Sequence, residues 1–85
     1  MTVPYLEISF RHGRPFAAYI HCAAPGPAAK TLELGHGLIL DQAADGSVIG
    51  IEVADPRHAD IAEISALLAQ HGVSISRADL SPLAA

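Results

Sequence analysis

The segment 38–53 constrains the fold more than any other part of the chain. Two runs rich in aliphatic residues flank Asp45 and Gly46, and an Asp-Gly pair between apolar runs is the strongest short-range signal of a β-hairpin. The segment therefore predicts two antiparallel strands joined by a type I′ turn, with Asp45 and Gly46 as its two central residues.

This turn also sets the register of the two strands. It places Leu40 opposite Ile51 and gathers the apolar side chains on one inner face of the sheet. The predicted inner residues are Leu38, Leu40, Ile49, Ile51 and Val53. A three-residue loop would turn Asp41 toward the same face, and burial of an unpaired carboxylate is costly, so the two-residue turn is favoured.

Three residues of the hairpin are predicted on the outer face. Asp41 and Glu52 become diagonal neighbours there, and Gly50 opposite Asp41 marks a place for close backbone approach. Paired carboxylates can perform acid–base chemistry or hold a metal. Solvated or salt-bridged carboxylates are the alternative interpretation, and it is favoured here.

Further strands are predicted on the N-terminal side of this hairpin. Residues 5–10 and 16–22 alternate between apolar and polar residues, as half-buried strands do. Their predicted pairing is Leu6 with Ile20, Ile8 with Ala18 and Phe10 with Phe16. Residues 31–34 form a weak strand that ends in a turn or bulge at 35–37, and the proline-containing segment 23–29 is an exposed connection.

One helix is predicted over about 56–70. Asp55 is suited to cap it, Pro56 fits its first position, and Gly72 follows its end. Aliphatic residues recur along it at helical spacing, which predicts that one face packs on the sheet.

The whole chain, 1–85, is thus predicted to form a single small α+β domain. An antiparallel β-meander of four to five short strands occupies about 4–53, with the one C-terminal helix packed on it. Residues 73–76 either add a short edge strand or lead away from the sheet. Residues 78–85 are predicted to be a loosely ordered tail.

The hairpin motif also carries a family resemblance. Its residues are Asp41, Asp45, Gly46, Gly50, Ile51 and Glu52. An apolar strand ending in Asp, an Asp-Gly turn and then Gly-Ile-Glu with a following aliphatic residue resembles the signature of a widespread bacterial family of small domains of unknown function. The resemblance covers residues 5–55 and implies a β-meander followed by a helix, with no assigned catalytic residue. It also implies an antitoxin-like or other partner-binding role, although Ala43 stands where members commonly carry an acidic residue.

Composition narrows the choice of partners. The net charge is −4 and the five Lys and Arg residues are scattered, which argues against nucleic acid. No signal peptide and no apolar run of membrane-spanning length is seen, so a cytoplasmic protein without a membrane partner is expected. A hydrophobic share of 51% exceeds the needs of one small core, which favours a homo-oligomer, with a dimer as the first choice.

The surface used for such an interface is left open by the sequence. The outer face of the sheet is one candidate, because four apolar or aromatic residues are predicted among its polar ones. These are Tyr5, Tyr19, Ile39 and Val48. A flank of the helix is the other candidate.

Two features of the sequence invite a metal interpretation. Asp41, Asp45 and Glu52 match positions 1, 5 and 12 of an EF-hand calcium loop, but Ala43 and Ile49 do not fit, and the flanks read as strands. The five histidines include no helical i, i+4 pair, and clustered ligands are what metal sites need.

We therefore predict no metal, no cofactor and no catalytic residue. Cys22, the single cysteine, has no partner for an internal disulfide and is predicted on the apolar side, where a thiol behaves as a small hydrophobe. A non-enzymatic homo-oligomerising or partner-binding module is favoured. A small metal-dependent enzyme or calcium-binding protein that uses Asp41 and Glu52 is the alternative.

Overall fold

The computed structural model describes residues 3–24 and 26–84. Within these ranges the chain forms five strands: β1 (Tyr5–Arg11), β2 (Arg14–His21), β3 (Lys30–Gly35), β4 (Leu38–Gln42) and β5 (Val48–Val53). They make one antiparallel sheet in the order β1-β2-β5-β4-β3. The predicted domain 1–85 also includes Met1, Thr2, Pro25 and Ala85, which lie outside the residues that the structure describes. The predicted α+β class with an antiparallel meander is confirmed.

Helical elements follow the sheet and cover its inner face. They are a 3-10 turn at Pro56–His58, α1 (Ile61–Gln70), α2 (Arg77–Leu80) and a second 3-10 turn at Ser81–Ala84. The core between the two layers consists of Ala18, Ile20, Leu38, Leu40, Val48, Ile51, Val53, Ile64, Leu68, Leu80 and Leu83. Each fully buried Ile, Leu or Val contributes about 1.5–3 kcal/mol relative to an exposed one, so this face holds the fold together.

The predicted register of the β4–β5 hairpin is observed, but the predicted turn is wrong. Leu40 pairs with Ile51. The loop has three residues rather than two, because the N–H of Ala43 donates to the Ser47 carbonyl at 2.9 Å and the N–H of Gly46 donates to the Ala43 carbonyl at 2.9 Å. Gly46 has a φ of 88°, as a type I turn closed by a glycine bulge requires.

A second bulge explains why the register survives this change. Gln42 pairs with Val48 and Asp41 pairs with Gly50, so Ile49 is an extra residue on β5. The extra residue offsets the third loop residue and keeps Asp41 on the outer face. Val48 is 7% exposed and belongs to the core, so the prediction that Ile49 points inward and Val48 outward is wrong.

The predicted helix 56–70 begins too early. α1 begins at Ile61, where the Asp60 Oδ1 accepts a hydrogen bond from the N–H of Glu63 at 3.2 Å. An acidic residue followed three positions later by Glu resembles a capping box, a strong helix start. Asp55, the predicted cap, makes no side-chain cap bond, and a separate 3-10 turn follows it.

The prediction of a loose tail over 78–85 is wrong for its described part. Leu80 is 0% exposed and Leu83 is 3% exposed, and both join the core. The Ser76 Oγ caps α2 by accepting from the N–H of Asp79 at 3.1 Å. The tail is therefore a docked layer over the inner face, and residues 73–76 lead to it without joining the described strands.

Candidate functional site

The outer face of the sheet carries a row of hydrogen-bonded side chains centred on Tyr19. The Tyr19 hydroxyl donates to the Asp41 Oδ2 at 2.8 Å. The Thr31 hydroxyl donates to the Asp41 Oδ1 at 3.0 Å. Both carboxylate oxygens of Asp41 therefore accept hydrogen bonds from side chains on other strands, and β2, β4 and β3 are joined through one side chain.

Gly50 makes the contact between Tyr19 and Asp41 geometrically possible. Tyr19 lies on β2 and Asp41 on β4, with β5 between them. A Cβ at Gly50 would overlap the Tyr19 ring, so the ring crosses β5 at the one place where no side chain stands in its way. The close approach predicted at Gly50, opposite Asp41, is confirmed.

Tyr19 remains a neutral hydrogen-bond donor in this setting. Burial raises the pKa of its phenol well above the usual value, and the hydrogen bond to Asp41 and the charge of that carboxylate raise it further. A phenol held protonated in this way does not act as a base near neutral pH. The contact is suited to holding strands together.

A second group on the same face surrounds His21. Its Nε2 lies 2.9 Å from the Glu7 Oε1. Its ring stacks on Tyr5, with centroids 4.4 Å apart and planes at 13°, and it meets the edge of Tyr19 at 4.7 Å. Two tyrosines and a carboxylate thus fix the orientation of the imidazole, and aromatic contacts of this kind stabilise by about 0.5–1.5 kcal/mol each.

The predicted carboxylate pair occupies the predicted face, but its two members differ in their surroundings. Glu52 pairs with Ile39 and Asp41 with Gly50, which makes the carboxylates diagonal neighbours. Because Asp41 accepts from two hydroxyl groups, its arrangement is that of a structural acceptor. A general base needs a free lone pair aimed at a substrate.

The loop carboxylate Asp45 shapes the turn. Its Oδ1 accepts from the N–H of Ser47 at 2.9 Å and from the Ser47 Oγ at 2.6 Å. These hydrogen bonds lower the pKa of Asp45. Across residues 3–24 and 26–84, no three His, Cys, Asp or Glu side chains converge as a metal site would require.

Two exposed histidine–carboxylate pairs lie on the other side of the molecule, and the sequence analysis missed them. His36 Nδ1 is 3.1 Å from a Glu63 oxygen, and His58 Nδ1 is 2.8 Å from the Asp55 Oδ2. The first pair joins the β3–β4 turn to α1 across 27 positions. No local spacing signals such a contact; the second pair, at i, i+3, could have been found from spacing alone.

Cys22 lies where the strand pattern puts it. It is partly buried against the core, and burial raises the pKa of its thiol to about 11. A thiol with such a pKa is almost entirely protonated at neutral pH, whereas the thiolate is the nucleophile. This environment suits a packing residue.

Exposed apolar side chains lie near the two sheet edges rather than on the middle of the outer face. The large ones are Val3 (40% exposed), Phe10 (63%), Phe16 (50%) and Leu34 (43%). A groove of about 460 Å³ follows β1 and is lined mainly by apolar residues of that strand. Of the four residues predicted to form an interface on the outer face, Val48 belongs to the core. Tyr5 and Tyr19 already pack on His21, so this face offers less apolar surface than the sequence predicted.

The fold and the outer face of the sheet define a class of protein. It is a small α+β domain with an open five-stranded sheet whose outer polar side chains are hydrogen-bonded to one another. Residues 17–55 match the model of a family described as "Protein of unknown function (DUF2283)". The match begins within β2, ends just past β5, and supports a relation to a family of small domains of unknown function. The chain matches no curated protein and no solved structure. None of the described helices is long and apolar enough to cross a membrane.

Proposed function

We propose that the chain is a non-enzymatic protein-interaction module that forms a homo-oligomer, with a dimer as the basic unit. The observation that carries this proposal is the apolar edge strand β1, on which Phe10 is 63% exposed. An exposed strand edge with apolar side chains readily accepts another strand. A small domain also gains stability from burial against a partner.

The environments of the reactive groups support a non-enzymatic role. Asp41 accepts from Tyr19 and Thr31, and the pKa values of Tyr19 and Cys22 are both raised by burial. Each group is thus occupied in holding the sheet or the core. An added strand from a different small protein would use the same edge, which is how an antitoxin-like role would be carried out.

Light scattering coupled to size-exclusion chromatography tests the proposal. We expect a mass of twice the 8.8 kDa chain at micromolar concentration. A mass of one chain that persists as the concentration is raised to the millimolar range would contradict it.

Calcium titration tests the alternative that uses Asp41 and Glu52. To bind the ion, Asp41 would have to give up hydrogen bonds to two hydroxyl groups, so we expect no heat of binding in a calorimeter. A saturable one-to-one heat that disappears in Asp41→Asn would favour the calcium protein instead.

A further inference from the structure

We propose that the dimer forms by antiparallel pairing of β1 with β1 of a second copy, around a two-fold axis at Ile8. This inference rests on the proposed homo-oligomer and names its surface. The pairing would join two five-stranded sheets edge to edge, with the inner faces of both copies continuous.

The choice of β1 follows from a comparison of the two sheet edges. Among the strands of the described residues, the order leaves β1 and β3 without a neighbour on one side. β3 is the shorter edge and is interrupted by a bulge at Leu34, while each edge strand carries two charged residues. A bulge is a feature that protects an edge from pairing. The β1–β2 pair also contains a bulge, but its extra residue, Phe16, lies on β2. The edge strand β1 therefore has no inserted residue.

The apolar residues of β1 complement themselves about Ile8. In this register Ile8 lies opposite Ile8 of the second copy, and Leu6 lies opposite Phe10 of the second copy. All three share the inner face, where Leu6 and Ile8 are only partly buried. The exposed Phe10 ring would enter the groove beside β1, which Pro4, Leu6, Ile8 and Pro82 help to line.

The polar residues of β1 are also compatible with this axis. Glu7 would lie opposite Ser9 of the second copy, with Arg11 and Glu7 of that copy as its two diagonal neighbours. Each Glu7 therefore has an opposite charge within reach, and no carboxylate lies directly opposite it. An axis at Glu7 would set two carboxylates directly opposite each other, which destabilises a strand pair. An axis at Ser9 would set Leu6 opposite His12, which lies beyond β1 in the β1–β2 turn, so Leu6 would have no apolar partner.

Cysteine cross-linking measures this register. Glu7→Cys and Ser9→Cys are made in separate chains on a Cys22→Ala background, so that the native thiol does not take part. Residues directly opposite in a strand pair have Cα atoms about 4.5–5.5 Å apart, within the range of a disulfide. We expect a disulfide-linked dimer on a non-reducing denaturing gel when the two variants are mixed and oxidised, and no disulfide-linked dimer when either variant is oxidised alone.

The other results of this experiment each have a defined meaning. A cross-link with Ser9→Cys alone or Glu7→Cys alone would move the axis and overturn the register. A dimer by light scattering that gives no cross-link in any combination would overturn the β1 interface while the proposed homo-oligomer stands. A monomer by light scattering would overturn both.

A matched set of surface substitutions gives a second test. Phe10→Asp would bury one carboxylate per copy in the dimer, and we expect the dissociation constant to rise at least about 100-fold. Leu34→Asp on the opposite edge is the control, since its side chain is exposed and lies off the β1 edge. Unchanged far-ultraviolet circular dichroism establishes that each variant folds. Loss of the dimer in Leu34→Asp with retention in Phe10→Asp would assign the interface to β3 and overturn the proposal.

Discussion

At the scale of single residues, Gly50 and Tyr19 define the outer face. The absence of a side chain at Gly50 lets the Tyr19 ring cross β5 and reach Asp41. The sequence predicted the outward Asp41 and the close approach at Gly50, because strand alternation and glycine placement are local signals. It did not predict Tyr19 as the approaching group, since Tyr19 reaches Gly50 through the pairing of β2 with β5 and its hydrogen bond to Asp41 joins residues 22 positions apart.

Gly50→Ala is expected to destabilise the protein. The new methyl group would displace the Tyr19 ring and break its hydrogen bond to Asp41, at a cost of about 1–3 kcal/mol in the free energy of unfolding. Urea denaturation measures the loss. In a Tyr19→Ala background the same substitution should be neutral or stabilising, because the three atoms nearest to a Cβ at Gly50 all belong to the Tyr19 ring and alanine is better than glycine in a strand. Equal losses in both backgrounds would contradict the steric account.

At the scale of elements, hydrogen bonds at turns and caps decide where each element begins. The Asp-Gly signal predicted a hairpin, but it does not distinguish a two-residue turn from a three-residue turn accompanied by a bulge at Ile49. The predicted helix start at Asp55 and the observed start at Asp60 differ for a similar reason. Both are acidic residues that can begin a helix, but only Asp60 accepts a hydrogen bond from the N–H of Glu63. Competing local solutions of similar energy are what a sequence pattern resolves least well.

The turn hydrogen bonds of Asp45 predict a pH dependence of stability. Its pKa is lower in the folded chain than in the unfolded one, so its stabilising contribution is present above the unfolded value of about 3.9 and is lost as the pH falls through the folded value. Asp45→Asn should therefore be less stable than the wild type at pH 7. Unfolding curves recorded from pH 7 to pH 2 should bring the two proteins together at the acid end. A difference that stays constant over this range would be inconsistent with the ionised Asp45 as its source.

Ser65 on α1 predicts a stabilising substitution. Its hydroxyl is buried without a hydrogen-bond partner among the described residues. Ser65→Ala removes this unsatisfied group and adds helix propensity, which should raise the free energy of unfolding by about 0.5–1 kcal/mol. Ser76→Ala is the contrasting substitution, because its hydroxyl caps α2 and its loss should cost about 1 kcal/mol. Thermal denaturation measures both changes. A Ser65→Ala variant that is less stable than the wild type, or a Ser76→Ala variant that is more stable, would contradict the expectation.

At the scale of the whole molecule, the sheet combines a local hairpin and a local meander. The sequence predicted the antiparallel strands, but not that β2 pairs with β5 or that Leu80 and Leu83 complete the core. Both arrangements depend on contacts between distant parts of the chain. The excess of apolar residues, which predicted an interface, is partly used by this docked C-terminal layer and partly displayed at the β1 edge.

The proposed dimer predicts that thermal stability depends on concentration. Association of folded chains stabilises them by mass action, so the Tm of the wild type should rise as protein concentration rises, when followed by circular dichroism. Phe10→Asp should have a Tm independent of concentration, and Leu34→Asp should behave as the wild type does. A wild-type Tm that does not change with concentration would count against association of the folded chain.

The hydrogen bond between Tyr19 and Asp41 also crosses the junction between the β1–β2 hairpin and the other three strands. Among the described strands, the β2–β5 ladder is the one that connects the N-terminal hairpin to the meander, and opening it would free the hairpin as a unit. A freed hairpin can take the same place on another chain, which is how strand-swapped aggregates arise. The hydrogen bond that Tyr19 makes across β5 is therefore expected to oppose exchange of the hairpin between molecules.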